Sequence, residues 1–119
     1  MTLLVRTARL SYSGPDALNV TRKSADATGI VFAPSWGILK PALVARRDGR
    51  LDEAWPGYVA DYTTEMRRSF REQRAAWDAL LARESVTLTC YCAQADRCHR
   101  TLLAGFLAKL GATYTGEVG

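Results

Sequence analysis

The stretch Val86 to Leu103, VTLTCYCAQADRCHRTLL, constrains the fold of this chain more than any other. Val86 to Thr89 are β-branched or apolar and lead straight into Cys90, Tyr91 and Cys92, which reads as a buried strand reaching its carboxyl end. A polar turn is expected over Ala93 to Arg97. Beyond it Leu102, Leu103, Phe106, Leu107 and Leu110 recur at helical spacing, and Gly111 offers a C-terminal cap, so a helix begins near Cys98, His99 and Arg100. All three cysteines and the single histidine of the chain therefore gather at one strand-to-helix turn. In open α/β sheets ligands bind at that place, outside the carboxyl ends of the strands. The expectation is a Rossmann-like α/β fold with its functional residues on this turn.

A chain of 119 residues holds one core and not two, so residues 1–119 are expected to form a single domain. No apolar run approaches the roughly 20 residues of a membrane helix, and MTLLVR lacks the apolar segment of a signal peptide. A cytoplasmic protein with no membrane partner is expected. Three cysteines within one turn, in a reducing compartment, point to thiol or metal chemistry and away from a disulfide framework. Charge is unevenly spread: residues 1–50 hold eight basic and three acidic side chains, the rest eight and nine. A basic half of this kind favours a phosphate-bearing partner, either a small molecule or nucleic acid, although it also serves solubility.

Elsewhere, a first strand is expected from Leu3 towards Leu10. SYSGPD, ending at Asp16, is a turn, Ala17 to Arg22 is a short strand or a helical turn, and Ser24 to Gly29 is a loop. Ile30 to Phe32 form a short buried segment ended by Pro34. Ser35 is placed to cap a helix through Ile38 and Leu39, and Pro41 permits at most a kinked continuation to Arg47. Trp55, Pro56 and Gly57 punctuate the next stretch. From Tyr58 to Arg83 the apolar positions keep helical spacing, as one long helix or two in tandem, with an arginine stripe read as a solvated face. Thr113 to Thr115 suggest a last strand.

The turn admits three chemical readings. Three thiols and one imidazole are the ligand types of a structural zinc site, but C-x-C is tighter than usual zinc spacing. Adjacent Cys98 and His99 would also be expected to point apart, so no metal and no cofactor are expected. A second reading makes Cys98 or Cys92 a nucleophile, its thiolate favoured by the helix start and by Arg97, His99 and Arg100, with Cys90 merely packed in the core. The third, ranked first, is an anion cradle: free N–H groups of the helix start with Arg100 as a fork of donors and His99 and Thr101 adding more. Arg100 stands where the helix dipole disfavours a cation, so either a carboxylate such as Asp96 or an anionic ligand must offset it.

The tract LTCYC…CHRTLLAGFL, together with FAPS at Phe32 to Ser35 and the Y-x3-M spacing of Tyr62 and Met66, resembles the Domain of Unknown Function 488 family. Cys90, Cys98, His99 and Arg100 match its Cys-His-Arg tract residue by residue; Cys92 departs from it, since an acidic residue is common there. The resemblance implies a small three-layer α/β domain with a mainly parallel sheet, and leaves the reaction open. Tyr12, Arg22 and Ser35 fit the pattern more loosely and join the ligand side. The expected function is binding, extending to processing, of a phosphate-bearing ligand such as a nucleotide or a nucleic-acid end. Cys98 and His99 are the catalytic candidates, and Arg100, Thr101, Cys92, Tyr12, Arg22 and Ser35 the ligand-binding ones. The rival is a non-catalytic module, zinc-stabilised or nucleic-acid-binding.

Overall fold

Four strands, β1 (Leu4–Arg9), β2 (Ala17–Asn19), β3 (Ser85–Cys90) and β4 (Thr113–Glu117), make one all-parallel sheet in the order β2-β3-β1-β4. The computed structural model describes residues 2–92 and 95–118. As expected, the cysteine-bearing strand is internal: β3 pairs with β2 on one side and β1 on the other, and Val86 to Cys90 are all buried. A strand buried on both faces can carry threonine only if each hydroxyl finds a partner. Thr87 donates to Asp16 Oδ2 at 3.1 Å and Thr89 to the Leu18 carbonyl at 3.4 Å.

The segment from Ala17 resolves as a short strand. Between β2 and β3 lie a 3-10 turn (Gly29–Phe32) and three helices: α1 (Trp36–Arg47), α2 (Leu51–Glu72) and α3 (Arg74–Leu81). A second 3-10 turn (Ala95–Arg97) precedes α4 (His99–Lys109). The expected polar turn begins at Ala93 and Gln94, which lie outside the described residues, and its remainder is this 3-10 turn. Tyr62 and Met66 of α2, Trp77 and Leu80 of α3, and Leu103 and Leu107 of α4 share one cluster with Val5, Leu18, Val86 and Leu88 of the sheet. A buried polar chain fixes the first 3-10 turn to the helices: Tyr62 donates to the Phe32 carbonyl at 2.7 Å, Trp77 Nε1 to Ser69 Oγ at 3.0 Å, and Ser69 to the Val31 carbonyl at 3.2 Å.

α1 continues through Pro41 to Arg47, the limit expected, and there only the Gly37 carbonyl loses its partner, at a residue exposed to water. Elsewhere the helical region departs from expectation in two places. Ser35 holds the N-cap position but makes no side-chain cap bond; its N–H donates to Glu65 Oε1 at 2.9 Å instead. α2 begins at Leu51 and takes in Trp55, Pro56 and Gly57. Helical spacing explains this, because Trp55 stacks on Tyr58 (ring centroids 5.1 Å, interplanar 14°) and Tyr58 on Tyr62 at 6.2 Å, so the buried face reaches back beyond the proline. The long helical stretch divides in two at Gln73.

Gly111 and Gly29 are each required by geometry. Gly111 follows α4 at φ 110° and closes it, with its N–H on the Ala108 carbonyl at 3.1 Å. Gly29 is buried, and any Cβ there would overlap the Asn19 carbonyl oxygen. Gly29→Ala is therefore expected to destabilise by about 2–3 kcal/mol, the upper part of the ordinary range, which is roughly 4–8 °C of melting temperature per kcal/mol. Gly57, inside α2 with nothing within 4 Å of a built Cβ, behaves oppositely: Gly57→Ala should stabilise by about 0.5–1 kcal/mol. Thermal unfolding of the two variants checks both signs.

Candidate functional site

Cys90 closes β3 and Cys92 follows two residues later, and alternation along an extended chain sends both side chains to one side. Their sulfurs are 4.0 Å apart. Cys98 is the N-cap residue of α4, with extended backbone angles of φ −140° and ψ 144°, which turns its side chain back towards β3 and not along the helix. Cys98 and His99 consequently converge where they were expected to point apart: His99 Nδ1 lies 4.0 Å from Cys98 Sγ and 3.7 Å from Cys90 Sγ.

The tautomer of His99 follows from its other nitrogen. Nε2 sits 2.7 Å from the Val20 carbonyl, which can only accept, so Nε2 carries the proton and Nδ1 presents its lone pair to the thiols. Burial lowers the pKa of the imidazole, more than the Val20 carbonyl raises it, which favours the neutral ring. Among the sulfurs the charge is unevenly placed. Thiol donation from Cys90 and Cys98 pulls the Cys92 pKa down against the effect of burial, helped by the positive charge of Arg46, whose Nη1 is 3.9 Å away. Burial pushes the Cys98 thiol up, and donation to Cys92 raises Cys90 to about 11. Cys92, the least buried of the three, is thus the thiol disposed to ionise, whereas the sequence singled out Cys98 first for its helix start.

The other residues of the Cys-His-Arg turn are turned inward. Arg100 has no exposed surface. Its Nε and Nη2 grip Glu117 of β4 at 3.2 and 2.7 Å, a two-bond fork, and Nη1 donates to the Cys92 carbonyl at 2.8 Å. The offsetting carboxylate is Glu117, seventeen residues on, in place of the neighbouring Asp96. Thr101 donates to the Ala95 carbonyl at 2.6 Å. Neither Arg100 nor Thr101 lines the cleft described next.

That cleft, about 320 Å³, opens at the carboxyl ends of β2 and β3 with Cys90, Cys92, Cys98 and His99 as its floor. Arg22 reaches its wall while holding the FAPS segment, through the Pro34 carbonyl at 2.7 Å and the Ala33 carbonyl at 3.2 Å. Cys92, Cys98, His99 and Arg22 are brought together; Ser35 and Tyr12 lie outside, Tyr12 donating to Asp16 at 2.8 Å and accepting from Arg6 at 3.0 Å. Sequence reasoning missed the walls. Trp36, Trp55, Tyr58 and Tyr91 supply aromatic surface, and Lys23, Arg46 and Arg97 supply charge. The basic first half of the chain was the signal for Lys23 and Arg46, and Arg97 already stood beside the turn; Trp36, Trp55 and Tyr58 gave none, since they look like ordinary helix-face residues in sequence.

Fold and site together define a small parallel α/β protein with a thiol-imidazole cluster at the strand-to-helix turn of an internal strand. The chain belongs to the DUF488 family: residues 7–111 match its active DUF488-N3 subclade. No curated protein and no solved structure matches the chain.

Two outcomes are expected. Burial would raise the Glu117 pKa, but hydrogen bonds from Arg100 and Thr7 and the charges of Arg100 and Arg9 outweigh it and hold the carboxyl below its usual 4.5. A carboxyl depressed by folding stabilises above its unfolded pKa, and that contribution is lost as the pH falls through the folded value. Glu117→Gln should lower stability at pH 7 towards the lower end of the ~3–5 kcal/mol of a broken buried pair, since Glu117 keeps 30% side-chain exposure. The difference from wild type should shrink below about pH 4, as chemical denaturation across pH will show. In reduced, chelator-treated protein at neutral pH, iodoacetamide followed by peptide mass spectrometry should find Cys92 modified well before Cys98 and Cys90.

Proposed function

We propose that the cleft binds a planar, phosphate-bearing ligand: a nucleotide or the end of a nucleic acid. One observation carries this reading. Among the described residues four cations line the cleft, Arg22, Lys23, Arg46 and Arg97, no carboxylate does, and the rings of Trp36, Trp55, Tyr58 and Tyr91 line it with them. Among the described residues Arg22, Lys23 and Arg46 meet no carboxylate within ion-pair distance, while Arg97 pairs with Asp52 at 3.2 Å. Uncompensated cations facing one cavity favour an anion there.

Aromatic walls define the rest of the ligand. Trp55 already stacks on Tyr58, with the Arg97 guanidinium 5.7 Å from its ring, the surroundings in which a base also stacks. A volume of about 320 Å³ lies within the range of small-molecule sites and suits a mononucleotide or one terminal residue of a strand. The place is the strand-end position at which parallel α/β sheets take up ligands. In this reading the phosphate is held by Lys23, Arg46 and Arg22 on the β2 and α1 side, and Arg100 supports the floor from behind.

Quenching of tryptophan fluorescence by mononucleotides, and separately by short single-stranded oligonucleotides, tests it. Saturable binding is expected, weakened about 5- to 150-fold by Trp55→Ala, as loss of one stacked base implies. Arg46→Ala and Lys23→Ala should weaken binding and, for an oligonucleotide, each reduce the salt slope by about one. A nucleoside without phosphate binding as well as its nucleotide would remove the phosphate reading, and no saturable response to either class would remove the proposal.

A further inference from the structure

The floor of the cleft concentrates more soft donors than packing needs. The sulfurs of Cys90, Cys92 and Cys98 all lie within 4.8 Å of one another, and His99 Nδ1 is 3.7 and 4.0 Å from two of them. A tetrahedral site with metal–sulfur bonds of about 2.3 Å and metal–nitrogen bonds of about 2.0–2.1 Å has donor-to-donor edges of roughly 3.6–3.8 Å. The Cys90–Cys92, Cys90–His99 and Cys98–His99 spacings of 4.0, 3.7 and 4.0 Å approach those edges, while Cys98 to the other two sulfurs and His99 to Cys92 would be drawn in by side-chain rotation on binding.

Three further features match a metal site. The imidazole is locked through Nε2–H to the Val20 carbonyl at 2.7 Å, the outer hydrogen bond that orients a metal-binding histidine. Three thiolates and a divalent ion leave one negative charge, which Arg46 Nη1 faces from 3.9 Å and the buried Arg100 supports from the Cys92 carbonyl. Among the described residues no carboxylate lines the cleft, so the donor set is sulfur with one imidazole nitrogen and suits a thiophilic metal over magnesium or calcium. The tight C-x-C spacing is no obstacle on a strand end, where residues two apart share a face. A lone catalytic thiolate is the poorer account of the cluster, because two adjacent thiols would capture it as a disulfide upon oxidation.

We propose that the thiolates of Cys90, Cys92 and Cys98 and the Nδ1 of His99 hold one zinc ion in a closed, four-coordinate site. The ion clamps the end of β3 to the start of α4 and, through His99 and Val20, to the end of β2. Binding releases the protons of the ligating thiols to solvent, with no change of oxidation state. The site does not depend on the nucleotide reading, and the two are tested separately.

Reduced protein stripped with chelator is titrated anaerobically with zinc against a chromogenic chelator, and in parallel with cobalt. One equivalent is expected to bind, with thiolate-to-cobalt charge-transfer absorption and the intense visible bands of a tetrahedral ion. All three thiols should become protected from a thiol reagent. The melting temperature should rise with free zinc, since the metal binds the folded state. Cys92→Ser, at the least buried ligand, should lower zinc affinity and weaken the charge-transfer band, and His99→Gln should shift the visible bands while leaving the thiolate absorption. Folded wild-type protein that binds no zinc with its three thiols free overturns the proposal, as does binding that leaves those thiols reactive. If either variant fails to fold, the wild-type cobalt spectrum and thiol protection decide. Nucleotide titration of the metal-free and zinc-loaded protein shows whether the cleft reading stands or falls on its own.

Discussion

A guanidinium with no surface in water must have its charge and its donors answered inside the protein, and Arg100 meets that requirement by joining three parts of the chain. It starts α4, it grips Glu117 on the edge strand β4, and it donates to the carbonyl of Cys92 just past β3. Leaving either partner out would strand a buried charge, so the three segments form as a unit. The position of Cys92, and with it the floor of the cleft, is set by that unit. The arginine that looks in sequence like the most available cation of the turn is the least available one in the structure.

The parallel order of the sheet does the remaining positioning. With β3 between β2 and β1, the carboxyl ends of β2 and β3 are adjacent, and Val20, Arg22 and Lys23 arrive beside Cys90 and Cys92 although some seventy residues separate them. The long insertion between these strands supplies the aromatic wall from α1 and α2. Its own stability comes from Tyr62, Met66, Trp77 and Leu80, which belong to the common core.

The internal strand, the parallel α/β class, the terminal helix with its glycine stop and the gathering of thiols at one turn were legible in the sequence, because each rests on local periodicity or on a residue with one dominant conformational use. What escaped depends on distant partners. Nothing near Arg100 in sequence points to Glu117, and nothing near Ser35 points to Glu65. Pro56 read as punctuation because its local preference is strong, yet it leaves unpaired only the carbonyl of Asp52, an exposed residue, and stacking of Trp55 on Tyr58 outweighs the signal. The convergence of Cys98 and His99 was missed for a subtler reason: helical geometry was assumed one residue too early, and the extended backbone of the N-cap reverses the direction of the thiol.

α1 has no buried residue and packs chiefly against α2, while Trp36, Leu43 and Val44 keep much of their surface in water. Yet Trp36, Leu43 and Arg46 form one side of the cleft. Local opening draws on the segments with the fewest buried apolar contacts. α1 is therefore the segment whose loosening would widen the cleft most readily, while the sheet, α4 and the cysteine floor stay folded. The two sides of the cleft thus differ in anchorage: a thinly held outer wall and a buried base.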